Sequence, residues 1–248
     1  MDLLIGTFVL RPYVFGFLAA FLAAGAVDLG MRRTLLFAAW VGPLAWLAEF
    51  TSTRIGVPFG LYHYTGTTRG QELFIADVPF MDCLSFTFLA YAAFCLARVA
   101  LAGRRVPAPV MALSAGVLMM LLDVVIDPIA VRGDRWFLGR IFFYPDGGMY
   151  FGVPLSNFAG WVVVGTLGVG GYLTLGRLGG WTATSGRRPW PGIALYYAVF
   201  GFNLAVTAWI GEWKLLMLSM TVHLATALVL WSVSQRPAEG LGLEKQQA

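Results

Sequence analysis

The apolar runs decide most of what this chain can become. Residues 79–102, 155–176 and 214–233 are long stretches with very few charges. A helix of about 20 such residues crosses the ~30 Å hydrocarbon core of a bilayer. Composition points the same way, since 58% of the chain is hydrophobic and 12% is charged. Ordinary globular domains carry about twice that share of charge. Seven apolar segments can be laid out, at about 13–29, 34–50, 79–102, 109–127, 154–177, 191–210 and 214–233. The hydropathy therefore predicts an all-α, polytopic membrane bundle of about seven transmembrane helices. One integral membrane domain covers residues 1–234, and residues 235–248 read as a polar C-terminal tail. The opening "MDLLIGTFVLRPYVFGFLAAFLAAG" has no basic stretch before its apolar run, so it reads as a first membrane helix, not a cleaved signal.

Charge gives an orientation. The chain has a net charge of +4, with Arg far more abundant than Lys. Short connections and the tail hold Arg32, Arg33, Arg104, Arg105, Arg177, Arg187, Arg188, Arg236 and Lys245. The long connections 51–78 and 128–153 mix Arg54, Arg69, Arg132, Arg135 and Arg140 with Glu72, Asp77, Asp134 and Asp146. Purely basic short loops face the cytoplasm, so the chain is expected N-terminus outside and C-terminus inside, with both long loops outside. No basic face with interleaved aromatic residues exists, so nucleic acid is not an expected partner. Cys83 and Cys95 fall in one helix, too far apart to pair.

Two stretches in the long connections are unlike the rest: "VPFGLYHYTG" (57–66) and "DGGMYFGVPLSNFAGW" (146–161). Both thread aromatic residues with Gly and Pro. Irregular backbone at membrane depth survives only where protein or a polar cavity shields it. The two stretches therefore read as a lid folded over one end of the bundle. Carboxyls gather at that same end. Glu49 closes the second apolar segment, Asp82 opens the third, and Asp123 and Asp127 close the fourth. Asp123 and Asp127, four apart, share one helix face. A faint repeat links "VPFMD" (78–82) to "VPLSN" (153–157), placing Asp82 and Asn157 at equivalent positions after a proline.

Each of these acids also has a bland explanation. Asp82 could simply cap its helix, where the dipole favours an acid. Glu49 could pair with Arg54, and Asp127 could reach interfacial water. Asp123 is harder to dismiss, because a carboxyl about one turn deeper is expensive unless paired or functional. Tyr and Trp belts are ordinary in membrane proteins. His63 and His223 stand apart with no Cys nearby, so neither a zinc nor an iron site is expected. Lys214 sits at a helix start and Lys245 in the tail, so neither suits a buried Schiff base. No phosphate-binding G-x-x-x-x-G-K loop is present.

"AEFTSTRIGVPFGLYHYT" with the following "VPFMD", then "DVVIDP" and "YFGVPLSNFAGW", resembles the membrane carotenoid-biosynthesis family of carotenoid 1,2-hydratases. The likeness runs over roughly residues 45–162 and the flanking helices. It implies addition of water to the terminal C1=C2 double bond of an acyclic carotenoid end group, giving a tertiary alcohol. The bilayer and an acyclic carotenoid would then be the partners, together with other membrane enzymes of carotenoid synthesis.

Chemistry assigns the roles. Hydrating a trisubstituted alkene needs a proton on the less substituted carbon, then water on the tertiary cation. Burial in an apolar site favours the uncharged form of a carboxyl, which suits a proton donor. A second carboxyl can act as base toward water. Aromatic faces attract the cation. The expected acid–base set is Asp123, Asp127, Asp82 and Glu49, with Asp123 weighted most. The expected substrate-binding residues are Phe59, Tyr62, Tyr64, Tyr150, Phe151, Asn157 and Trp161, with no metal and no cofactor. Two other readings stay open. The D-x-x-x-D spacing of Asp123 and Asp127 would suit a magnesium-dependent membrane prenyltransferase, although no second Asp-rich motif accompanies it. A non-catalytic carotenoid-binding or transport protein is the other.

Overall fold

The computed structural model describes residues 2–181 and 188–235; Arg187, Arg236 and Lys245, with nearly all of the expected tail, lie outside them. Among the described residues, eight α-helices follow one another: α1 (Leu3–Leu10), α2 (Pro12–Asp28), α3 (Met31–Ile55), α4 (Phe80–Ala100), α5 (Ala108–Ala130), α6 (Leu155–Leu178), α7 (Trp190–Trp209) and α8 (Trp213–Gln235). Six are long and apolar enough to cross a membrane, or seven if the bent pair α1–α2 counts as one span. Every apolar segment read from the sequence is a helix. The opening stretch, however, is not one continuous helix: α1 and α2 meet at a 92° bend. The cause is local. Pro12 offers no N–H and pushes Arg11 out of the helical region, to φ −127° and ψ 49°.

The bundle is built around α4, which packs against α2, α3, α5, α6, α7 and α8 and is 83% buried along its span. By contrast, α8 lies at the edge, 11% buried. Exposed Trp190 and Trp231 mark one end of the α7–α8 pair, and Trp209 and Trp213 the other. With about 1.5 Å of rise per residue, α7 spans roughly the thickness of the hydrocarbon core between these rings. At the short-loop end, Asp28 is buried and accepts from Arg98 Nη1 at 2.6 Å, Arg98 Nη2 at 3.2 Å and the Arg188 backbone N–H at 3.1 Å. That ties α2 and α4 to the start of α7.

The long loops meet each other at the opposite end. Strand β1 (His63–Tyr64) pairs antiparallel with β4 (Phe142–Phe143), His63 opposite Phe143 and Tyr64 opposite Phe142. A second ribbon, β2 (Phe74–Ile75) with β3 (Val78–Pro79), leads directly into α4. Neither ribbon is visible in hydropathy, because two residues carry no periodicity. Arg11 holds the assembly down. Its Nη2 and Nε donate to Glu72 at 2.9 and 3.2 Å, and its Nη1 to the Leu138 carbonyl at 2.7 Å. One buried, bidentate guanidinium thus fastens both loops to the break between α1 and α2.

Candidate active site

Helix ends aim the carboxyls at a common space. Pro79 and Pro154 are the extended N-cap residues of α4 and α6, so Asp82 and Asn157 both occupy the third helical position. The faint repeat in the sequence is therefore a repeat in structure. Asp82 lies in the first turn of α4, beneath the first long loop.

Tyr62 and Tyr64 descend from the first loop onto Glu49. The Tyr62 hydroxyl donates to Glu49 Oε2, and the Tyr64 hydroxyl lies 2.7 Å from that same oxygen. The Tyr64 hydroxyl is also 2.7 Å from Asp82 Oδ2. A phenol has one hydrogen to donate. Burial, and then the neighbouring Asp82 and Glu49, push the Tyr64 phenol well above its ordinary value, so it keeps that hydrogen. For both short contacts to be hydrogen bonds, a second proton must sit on one of the two carboxyls. Glu49 is not paired with Arg54, as the sequence allowed. Arg54 and Arg69 both pair with Asp77, whose carboxyl Arg69 holds below its usual range.

The facing wall comes from α5 and α6. Asp127 is flanked by Asp123, Asn157, Trp161 and Tyr144. Asp123 is fully buried and lies behind the wall, where its Oδ2 accepts from Asn157 Nδ2 at 2.6 Å. Between the walls is a cavity of about 130 Å³, partly open to the surroundings, lined by Glu49, Asp82, Asp127, Asn157, Tyr62 and Tyr64. Aromatic rings complete it: Phe59, Phe86, Phe142, Tyr144 and Trp161. Phe86 and Trp161 stack at 4.5 Å, and Phe59 sits 6.1 Å from Trp161. Phe59 is seated by Gly160, where a Cβ would come within 2.6 Å of its ring and 2.7 Å of the Pro58 carbonyl.

Most of the residues singled out from sequence thus converge: Glu49, Asp82, Asp127, Phe59, Tyr62, Tyr64, Asn157 and Trp161 all line the cavity. Asp123 stands one layer back, reaching the wall only through Asn157 and Asp127. Tyr150 and Phe151 are not on the wall. A turn closed by the Tyr150 N–H and the Val153 carbonyl sends them toward Ile129, Val206 and Leu215, and Phe151 lies 5.9 Å from the Arg132 guanidinium. Tyr144 lines the cavity too, although it is outside the expected substrate-binding set. The chain through and just after β4 turns Phe142 and Tyr144 inward together while Phe143 stays half-buried, a pattern too short to read from hydropathy. Among the described residues, no three His, Cys, Asp or Glu side chains gather as a metal-binding group.

Comparison with known proteins follows the same residues. The profile of the family described as carotenoid biosynthesis protein matches residues 4–226. Over 167 residues, 67% of this chain, the sequence is 34% identical to bisanhydrobacterioruberin hydratase of Haloarcula japonica. That alignment covers 51% of the relative, so the chain spans about half the length of the curated protein it matches. No solved structure matches the chain.

Proposed function

The chain belongs to the carotenoid biosynthesis protein family, and from that premise we propose that it adds water to the terminal double bond of an acyclic carotenoid. The observation that carries this reading is the Tyr64 hydroxyl shared at 2.7 Å by Glu49 and Asp82. That arrangement keeps a proton between two carboxyls at the edge of an aromatic cavity, where an alkene can take it. The relative in Haloarcula japonica is a hydratase by name, which supports the same chemistry.

The terminal double bond enters between the two walls. The Glu49–Asp82 pair gives its proton to the less substituted carbon, and the positive charge develops on the tertiary carbon. The faces of Trp161, Phe86 and Phe59 stabilise that charge by ~0.5–2 kcal/mol each. Water beside Asp127 bonds through its oxygen to the cation and passes a proton to the Asp127 carboxylate. One water is added, and the proton lost by one wall is gained by the other. Asp123 acts through Asp127 and Asn157 as a positioning residue. The reaction draws on carboxyls, a phenol and rings alone, so the reading includes no cofactor. The basic short loops support an orientation with both long loops on the outer face.

Expression in a lycopene-accumulating host tests the proposal. The expected result is a pigment heavier by one water. An unchanged pigment would favour a binding protein, and a magnesium-dependent gain of an isoprenoid unit would favour prenyl transfer.

A further inference from the structure

Behind the Asp127 wall, where α8 packs on α5 and α7, lies a polar cluster of which the mechanism above uses only Asp123. Ser219 and His223 are one turn apart on α8 and, with Leu215, are its buried residues on a helix mostly turned outward. His223 lies flat on Phe200, ring centroids 3.6 Å apart at 20°. Its Nδ1 is 3.0 Å from the Ser219 carbonyl. A carbonyl only accepts, so in the neutral ring Nδ1 carries the hydrogen and Nε2 keeps a lone pair. Nε2 meets no protein donor.

Tyr150 brings the second loop to this place. Its hydroxyl is directed at Ser219, yet neither hydroxyl completes a hydrogen bond with a protein group. Asp123, on α5, is near enough for its charge to act on the Tyr150 hydroxyl, although the two are not hydrogen-bonded. Its Oδ2 is taken by Asn157, while Oδ1 has no protein partner. Four polar groups from α5, α8 and the loop before α6 thus bring unspent donors and acceptors to one buried region. Buried polar groups are almost always satisfied, by protein or by internal water.

We propose that Asp123, Tyr150, Ser219 and His223 bind a short chain of internal water, and that this chain supplies Asp127 through Asp123. The supply role rests on the hydration reading above; the binding of water does not. The chemistry is balanced for it. The hydroxyls of Tyr150 and Ser219 give or accept, while His223 Nε2 accepts and Asp123 Oδ1 faces the next molecule. In each turnover one water loses a proton to Asp127, its oxygen bonds to the tertiary carbon, and the next water moves forward. This gives Tyr150, which lies off the cavity wall, a role at its rear.

X-ray radiolytic footprinting of the full chain in nanodiscs, in ¹⁸O-water, tests this, because side chains beside ordered water are oxidised even when buried. His223 is the reporter. Tyr196 is the control, being buried with its hydroxyl donated to the Leu118 carbonyl. His223 should take label in the parent protein and lose most of it in Ser219→Val, with Tyr196 the same in both. The kcat should fall about tenfold in Ser219→Val, the worth of one hydrogen bond, with KM unchanged. Ser219→Thr keeps the hydroxyl and should restore both readouts. Equal His223 labelling in the parent and Ser219→Val would overturn the water site. Lost labelling with an unchanged kcat would overturn the supply role. Labelling as expected in a protein that never hydrates a carotenoid would leave the water site standing and sink the hydration reading together with the supply role.

Discussion

Tyr64 and Asp82 meet across 2.7 Å, although one belongs to a two-residue strand and the other to the first turn of α4. The same hydroxyl reaches Glu49 on α3, so one loop tyrosine decides where two helix carboxyls can hold a proton. Replacing Tyr64 by Phe keeps the ring and its edge-on contact with Tyr62 at 5.5 Å, but removes the bridge. The variant should fold and insert. Its kcat should fall about tenfold to a hundredfold, the scale of a hydrogen bond to a charged group. Steady-state turnover with an acyclic carotenoid in micelles measures it, and parent-like kcat would remove Tyr64 from the mechanism.

The two α5 carboxyls should separate by rank. Asp127 is on the cavity wall and Asp123 is behind it. Asp127→Asn should cost ~10²–10⁴-fold in kcat, the usual scale for a catalytic acid or base. Asp123→Asn should cost less, about tenfold, and Asp123→Glu should recover part of that loss with KM unchanged. The reverse ranking would mean that Asp123, not Asp127, meets the reacting water.

Gly60 takes φ +92°, and a Cβ there would lie 2.6 Å from Ser156 Oγ. Gly60→Val should destabilise the protein by about 1–3 kcal/mol through backbone strain. A thermal melt in detergent should show a lower midpoint, with activity falling alongside it. An unchanged midpoint would mean that the first loop does not depend on this turn.

Arg11 and Glu72 are both buried, and breaking such a pair leaves an uncompensated charge. Arg11→Met alone should cost about 3–5 kcal/mol, and Arg11→Met with Glu72→Met should recover much of it. Thermal melts of the single and double variants provide the comparison. A double variant no better than the single would show that the Leu138 carbonyl contact, not the ion pair, is what anchors the loops.

Cysteines placed at the exposed Thr67 and Asp146 should both react with a membrane-impermeant maleimide added from outside intact cells. Reaction only after permeabilisation would reverse the proposed orientation. Reaction at one position alone is not compatible with loops that pair through Tyr64 and Phe142.

The helices were legible because a membrane span needs a long apolar run, and α3 to α8 each contain one. The ring of carboxyls was legible too, since an acid at the end of an apolar run is conspicuous. What tied them together was not. Glu49 had an obvious neighbour in Arg54, five residues on, but its partners are tyrosines 13 and 15 residues away on a loop that turns back. Tyr150 and Phe151 share their glycine-rich stretch with Asn157 and Trp161, yet a turn at Phe151, φ +51°, sends them to the other side of α5. Depth along a helix was readable for Asp123. Which side of the helix met the cavity depended on how α5 and α6 pack, and one sequence carries no record of that.

The central claim is that a carboxyl-held proton and a water molecule, acting together, convert the double bond to an alcohol. The most direct test incubates purified protein with an acyclic carotenoid in H₂¹⁸O, without dioxygen or added metal, and weighs the product. The expected product is a tertiary alcohol carrying ¹⁸O, formed by the parent protein and nearly absent with Asp127→Asn. An alcohol whose oxygen comes from dioxygen, or no product until an oxidant or metal is supplied, would contradict the account.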